Sequence, residues 1–212
     1  MDTQSKVVKS KSAKGVTIRV IPGHFATNHS HVNYYIDLTN VKVQHRIAKQ
    51  AAIELAGRYS STMIETIICL EGTEMVGAFM ADAFSQSGMV RMSSGIDINV
   101  LMPELNTNNQ MIFRDNTQKM VQGKSILLLI STVSTGKTIN RALECLQYYG
   151  GQLVGICALF SAVPEMHGYT INAVFTNEDI ADYRTFSPGS CELCAEKQGI
   201  DAIANSFGYS KL

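Results

Sequence analysis

Short apolar runs alternate with amphipathic stretches along this chain. VTIRVI (16–21) and VNYYIDL (32–38) read as strands, rich in β-branched and aromatic residues. Over residues 43–58, Val43, Ile47, Ala51 and Leu55 recur at fourfold spacing, which predicts an amphipathic helix. ETIICL (65–70) predicts a short buried strand, residues 74–84 a helix, and GIDINVLM (95–102) another strand. SILLLI (125–130) is too short for a buried helix between turn signals and predicts a central parallel strand. A helical stripe of Ile139, Ala142, Leu143 and Leu146 follows, and Gly150-Gly151 stops it. QLVGICALFS (152–161) and TINAVF (170–175) predict further strands. Alternation of this kind implies an α/β fold, a parallel sheet with helices on both faces. Ligands of such sheets sit beyond the carboxyl ends of the strands.

Composition narrows the class without naming it. The 212 residues suffice for one domain, with 45% hydrophobic and 17% charged residues, which excludes disorder over most of the chain. A formal net charge of zero gives no whole-protein field for nucleic acid or an anionic membrane, and neither partner is expected. Residues 1–14 are a basic exception, with Lys6, Lys9, Lys11 and Lys14, and are expected to fray from a single domain over 15–212. No run resembles a signal peptide or a membrane span, so a reducing, cytoplasmic setting is expected.

Five cysteines enter this picture. Cys69, Cys145 and Cys157 lie in apolar runs and read as reduced core residues. Cys191 and Cys194 form CELC, a lone CxxC with neither a second pair nor a nearby His in sequence. A structural zinc site needs four ligands, so this pair alone predicts no site unless a partner subunit completes it. His24, His29 and His31 could contact a base, move a proton or bind metal. No carboxylate or cysteine stands beside them at ligand spacing, and hydrogen-bonded or surface histidines are the simpler expectation.

The chemistry concentrates in ISTVSTGKT (130–138). Gly136 permits a tight turn, successive backbone N–H groups can converge on an anion, and the helix that follows aims its positive end there. Ser134, Thr135 and Thr138 add hydroxyl donors. A Walker A loop would end in the same Gly136-Lys137-Thr138, but its first glycine would fall on Ser131, and no apolar strand ending in Asp stands by to hold magnesium.

LLLISTVSTGKT instead resembles the nucleotide loop of the type I phosphoribosyltransferases, where an apolar strand runs through two acids into a Thr/Gly-rich turn. GHFATNHSHVNYYIDL (23–38), CLEGTEMVGAFMADAF (69–84) and YRTFSPGSCELCAEKQGI (183–200) are similar, in order, to the N-terminal segment, pyrophosphate loop and tail of orotate-type members. The resemblance implies a central parallel sheet of about five strands, with a small hood from about 15–40 and the C-terminal tail. It implies that Ser134, Thr135, Gly136, Lys137 and Thr138 hold a 5′-phosphate, and that Glu71, Gly72, Thr73 and Glu74 form the pyrophosphate loop. It further implies phosphoribosyl pyrophosphate and a nitrogenous base, orotate above others, as substrates. Mg2+ would be held mainly through substrate and water rather than by direct protein ligands, and the protein would be a homodimer.

The departures are specific. The acidic pair aligns with Ile130 and Ser131; in the family it grips the ribose hydroxyls and helps organise magnesium. Ile130 can do neither, and Ser131 offers one uncharged hydroxyl. Either loss is worth about one to three kcal/mol, roughly ten- to a hundredfold in rate or affinity. The region matching the family's basic catalytic loop (105–124) is sparse in charge, with Arg114 and Lys119 as its candidates for pyrophosphate. A phosphoribosyltransferase is therefore expected, and a catalytically impaired relative that binds a nucleotide or ribose phosphate in a regulatory role is the alternative.

Overall fold

The computed structural model describes residues 5–86, 95, 97–108 and 110–212. The expected frayed terminus is corrected for residues 6–14. Lys6–Lys9 forms β1 and pairs antiparallel with β2, Thr17–Ala26. Alternation puts Val8 against the core, Ala13 is buried, and Ser10 Oγ donates to the Val174 carbonyl at 2.8 Å. Those apolar positions outweigh the lysines between them, which stay in water.

β3, His31–Asp37, returns antiparallel to β2. The single helix expected over 43–58 is two: α1 (Thr39–Val43) and α2 (His45–Gly57). Gln44 between them is extended, at φ −95° and ψ 109°. Val43 consequently faces solvent, and α2 packs through Ala48, Ala51, Ala52 and Leu55. β4 (Thr66–Cys69) and α3 (Glu74–Ser85) come next, and then β5 (Asn99–Leu101), shorter than the strand expected over 95–102. β6 (Glu104–Leu105), β7 (Met111–Ile112) and the short α4 (Asp115–Gln118) lead to β8 (Ser125–Val133).

α5 (Lys137–Tyr149), β9 (Gln152–Ser161), β10 (Glu165–Met166) and β11 (Tyr169–Thr176) complete the central sheet. Its order is β10-β11-β9-β8-β4-β5, and all neighbours except the β10–β11 hairpin are parallel. β8 sits in the middle and shows why its sequence is continuously apolar. Leu127 and Leu129 join the cluster under α2 and α3, while Ile126, Leu128 and Ile130 join the cluster under α5. Both faces are covered, so both side-chain sets are buried.

A second sheet forms the hood. β12 (Thr185–Phe186), α6 (Glu192–Ala195), β13 (Ala202–Asn205) and β14 (Gly208–Lys211) supply its C-terminal part. The order is β12-β3-β2-β13-β14, with β1 also on β2. Chain ends thus meet in one sheet, around Ile21, Phe25, Val32, Ala202 and Ala204. Among the described residues no helix is long and apolar enough to cross a membrane.

Candidate functional site

Two neighbouring parallel strands, β4 and β8, end on the same side, and each is followed by a turn into a helix. The β8 turn is shorter than its sequence suggests, because the strand continues through Val133. Only Ser134, Thr135 and Gly136 lie outside regular structure; Lys137 and Thr138 already begin α5. Gly136 caps that helix at φ +75°, the left-handed region that suits glycine. The β4 turn carries a more unusual pair. Glu71 has φ +62° and Gly72 φ +80°. A non-glycine residue there carries local strain of order 1 kcal/mol, the kind retained where a site needs it.

The two turns face one cavity of about 670 Å³, roofed by the hood. Ser134, Thr135, Gly136, Lys137 and Thr138 all line it, as do Glu71, Gly72 and Glu74, and so do Ile130 and Ser131. Thr73 does not: it is buried, and its hydroxyl lies 3.0 Å from the Leu70 carbonyl and 3.2 Å from that of Leu129, bridging β4 to β8. Arg114 and Lys119 also stay off the cavity wall. Arg114 makes a two-pronged pair with Glu104 (Nε to Oε2 2.8 Å, Nη2 to Oε1 2.7 Å), both residues well exposed. Lys119 caps the end of α4. Within one chain, neither is brought to the residues they were expected to assist.

Two cations that the sequence reading passed over, Lys42 and Arg141, line the cavity, and His29, one of the histidines expected to contact a base or move a proton, joins them when protonated. Lys42 comes from α1, donates to the Glu71 carbonyl at 3.3 Å and to the Ser206 carbonyl, and lies 5.8 Å from the Phe207 ring centre. Burial pulls its pKa down, against the pull of Glu71, Glu74 and Asp37. His29 crosses from the hood; burial first, then Arg141 and Lys137, hold its pKa below the ordinary value. Lys137 and Arg141 therefore give the α5 end of the cavity a positive charge.

Acid and hydroxyl oxygens sit between these cations. The Glu71 carboxylate accepts from the Thr132 backbone N–H at 3.3 Å, with the Thr138 hydroxyl a longer contact at 3.5 Å. Its pKa is raised, chiefly by burial. Ser131 Oγ is buried and has no hydrogen-bond partner among the described residues. Ile130 is 1% exposed and packed in the α5-side core.

Against known proteins, no protein-family model matches the chain. Over 186 residues it is 25% identical to an orotate phosphoribosyltransferase of Desulforamulus reducens, across 87% of this chain and 88% of that one. The crystal structure of Mycobacterium tuberculosis orotate phosphoribosyltransferase with phosphoribosyl pyrophosphate superposes at a TM-score of 0.52 and 16% identity, over 69% of this chain and 83% of that one. Leishmania donovani UMP synthase gives 0.54 and 18%, over 75% of this chain and 34% of that longer one. Adenine phosphoribosyltransferase from Leishmania donovani gives 0.50 and 11%, over 76% and 79%. The fold is that of the type I phosphoribosyltransferases.

In sequence the chain resembles the orotate kind. Within the phosphoribosyltransferase fold the cavity lies where the topology puts a ligand, beyond the strand ends. Glu71 and Glu74 are the cavity's candidate oxygen donors for a divalent cation. One further cluster corrects the sequence reading. His24, His31, Cys191 and Cys194, expected to stand apart, place their ligand atoms within 4.8 Å of one another in the hood.

Proposed function

We propose that the protein is a phosphoribosyltransferase that joins the ribose 5-phosphate of phosphoribosyl pyrophosphate to a nitrogenous base, with orotate the favoured base. One observation carries the reading: a single cavity is lined both by the glycine-capped N-terminus of α5 and by the left-handed Glu71-Gly72 turn. Orotate in particular is supported by the sequence relative alone.

Each part of the substrate has residues suited to it. The N-terminus of α5, the hydroxyls of Ser134, Thr135 and Thr138, and Lys137 and Arg141 form a seat for the 5′-phosphate. Ser131 Oγ offers the free hydroxyl for a ribose oxygen. Gly72 and Lys42, side by side on the cavity wall, are suited to the pyrophosphate. Departure of pyrophosphate leaves positive character on the anomeric carbon, so the chain must hold the ring, balance charge on the leaving group and exclude water. Magnesium, bound mainly through substrate and water, would supply part of that charge balance, with Glu71 and Glu74 as the residues turned towards it.

A homodimer belongs to the same reading. The β6–β7 ribbon lines the cavity through Leu105 and Met111, while Arg114 just beyond it and Lys119 at the end of α4 stay off the wall of their own chain's cavity. In a dimer these cations would serve the neighbour's pyrophosphate.

A second reading has one observation behind it. Ile130 fills core space where an acid would be needed, which suits a protein that binds a ribose phosphate or nucleotide without turning it over. Pyrophosphate release from phosphoribosyl pyrophosphate and magnesium, with orotate or adenine as acceptor, separates the two. Orotate-dependent release is expected. Release no faster than in a Gly136→Val variant, with ribose 5-phosphate still bound by the parent protein, would leave only the binding role. No binding of either ligand would remove the phosphate seat itself.

A further inference from the structure

We infer that His24, His31, Cys191 and Cys194 form a tetrahedral zinc site that ties the C-terminal tail to the hood, a site separate from the cavity and independent of any turnover there. The four come from opposite ends of the chain. His24 lies on β2 and His31 on β3, flanking the turn between those strands. Cys191 is the residue before α6 and Cys194 stands within its single turn, so CxxC spacing folds both sulfurs to one side. All five cysteines of the chain are free thiols.

The distances match a metal's coordination shell better than a chain of ordinary hydrogen bonds. His24 Nε2 is 3.0 Å from His31 Nδ1, 3.6 Å from Cys191 Sγ and 3.7 Å from Cys194 Sγ, and Cys194 Sγ is 3.4 Å from His31 Nδ1. Zinc bonds of about 2.0–2.1 Å to nitrogen and 2.3 Å to sulfur at tetrahedral angles give edges of about 3.3 Å between nitrogens and about 3.6 Å between nitrogen and sulfur. Four of the cluster's six edges are already near those lengths, and all six lie within 4.8 Å. Two imidazoles and two thiolates are also a set that favours zinc over magnesium or calcium, which prefer oxygen.

A neighbour fixes the ring that matters most. His24 Nδ1 is 2.9 Å from the Gln198 carbonyl, an acceptor only, so Nδ1 carries the proton and Nε2 turns its lone pair to the cluster. That ring is 0% exposed, and Cys191 is 4% exposed. Backbone bonds hold the same junction: the His24 N–H donates to Asp201 Oδ2 at 2.8 Å, and the Asp201 N–H donates to the His24 carbonyl at 2.8 Å. Zinc entering here displaces the two thiol protons and forms two Zn–S and two Zn–N bonds, with no change of oxidation state.

The consequence reaches the cavity through covalent chain. Thr27, Asn28 and His29, between the two histidine ligands, line it, and so do Ser206 and Phe207 in the β13–β14 turn that follows the cysteines. A metal clamp joining β2 and β3 to the tail thus sets both of the hood's cavity-facing turns. It adds to a tail whose own helix is only four residues long.

The test uses the full chain purified under reducing conditions without added metal. Elemental analysis is expected to find zinc at about one per chain, falling near zero in Cys194→Ser and in His31→Gln and staying at one in Cys145→Ser. Cobalt(II) exchanged into the parent protein should give the strong visible absorption of a tetrahedral site, with a sulfur-to-cobalt band that Cys194→Ser loses. A zinc chelator should lower the melting temperature of the parent protein, and zinc should restore it. The inference is overturned by a parent protein that neither carries zinc nor takes it up from a zinc-buffered solution. Zinc retained equally by Cys194→Ser and His31→Gln would also overturn it, as would a Cys191–Cys194 disulfide in protein alkylated directly from cells. Because the parent-protein arms need no variant, misfolding of a variant does not cloud the result.

Discussion

The Glu71 carboxylate accepts a hydrogen bond from the backbone N–H of Thr132 at 3.3 Å, so an acid from the β4 turn lies beside strand positions 130 and 131. Those are the two positions at which the family signature carries acids and this chain carries Ile130 and Ser131. A carboxylate has therefore been brought to the right neighbourhood from a different strand.

Glu71→Gln separates its charge from its shape. Burial raises the pKa of Glu71, so its protonation favours folding. That contribution is fully present below its unfolded value of about 4.3 and is lost as pH rises through the folded value. The variant, neutral throughout, should match the parent near pH 4 and melt higher at pH 7–8. Each kcal/mol recovered is worth about 2–4 °C in a chain of this size. Magnesium-dependent binding of phosphoribosyl pyrophosphate should fall at the same time. Thermal melts at the two pH values and calorimetric titration check both halves; equal melting at pH 8 would contradict the buried-charge account.

Gly136 allows a sharper perturbation. Its φ of +75° suits glycine, and the Met166 side chain occupies the space where a Cβ would project. Gly136→Ala should cost about 1–2 kcal/mol in backbone strain alone, and Gly136→Val more. Ribose 5-phosphate affinity is expected to drop at least about tenfold in Gly136→Ala, since 1.4 kcal/mol is one decade. Calorimetry with ribose 5-phosphate, alongside circular dichroism to confirm folding, measures this.

How much of this was legible in the sequence follows from where each signal is stored. SILLLI could be read as a central strand because burial on both faces leaves no polar position, and the loop after it because Gly136-Lys137-Thr138 is contiguous. Lys42 stands just before the helix expected over 43–58, in the separate short α1 that the extended Gln44 ends. Its role depends on Ser206, 164 residues away. Likewise CELC looked like half a metal site because its other half, His24 and His31, is 160 or more residues upstream and joins it only when β13 pairs with β2. Local spacing records turns and faces; it does not record which distant strands become neighbours. The valines of β1 were overlooked for the opposite reason, since four lysines in fourteen residues dominated the composition there.

Ser131 tests whether the cavity is built for a ligand. Its hydroxyl is buried and makes no hydrogen bond among the described residues, so a purely structural serine at that position would be a liability. Removing it in Ser131→Ala should leave the melting temperature unchanged or slightly higher. Ribose 5-phosphate should bind about 3- to 10-fold more weakly, the worth of one neutral hydrogen bond. Loss of stability without loss of affinity would place Ser131 in the core and take it out of the site.

Arg114 and Lys119 decide how sites and subunits are related. Both lie off their own cavity, and Arg114 is engaged by Glu104. If they act across a homodimer, the double variant Arg114→Ala/Lys119→Ala should be nearly inactive, and so should Gly136→Val. Mixed and allowed to exchange subunits, the two should regain activity, because each mixed dimer pairs one intact phosphate seat with one intact loop from its neighbour. Random exchange makes half the dimers mixed with one working site of two, so about a quarter of parent activity should return. The measurement is pyrophosphate release before and after mixing, with light scattering to confirm the dimer. A double variant as active as the parent would remove both residues from catalysis. An inactive one that mixing fails to rescue would place them at their own chain's site.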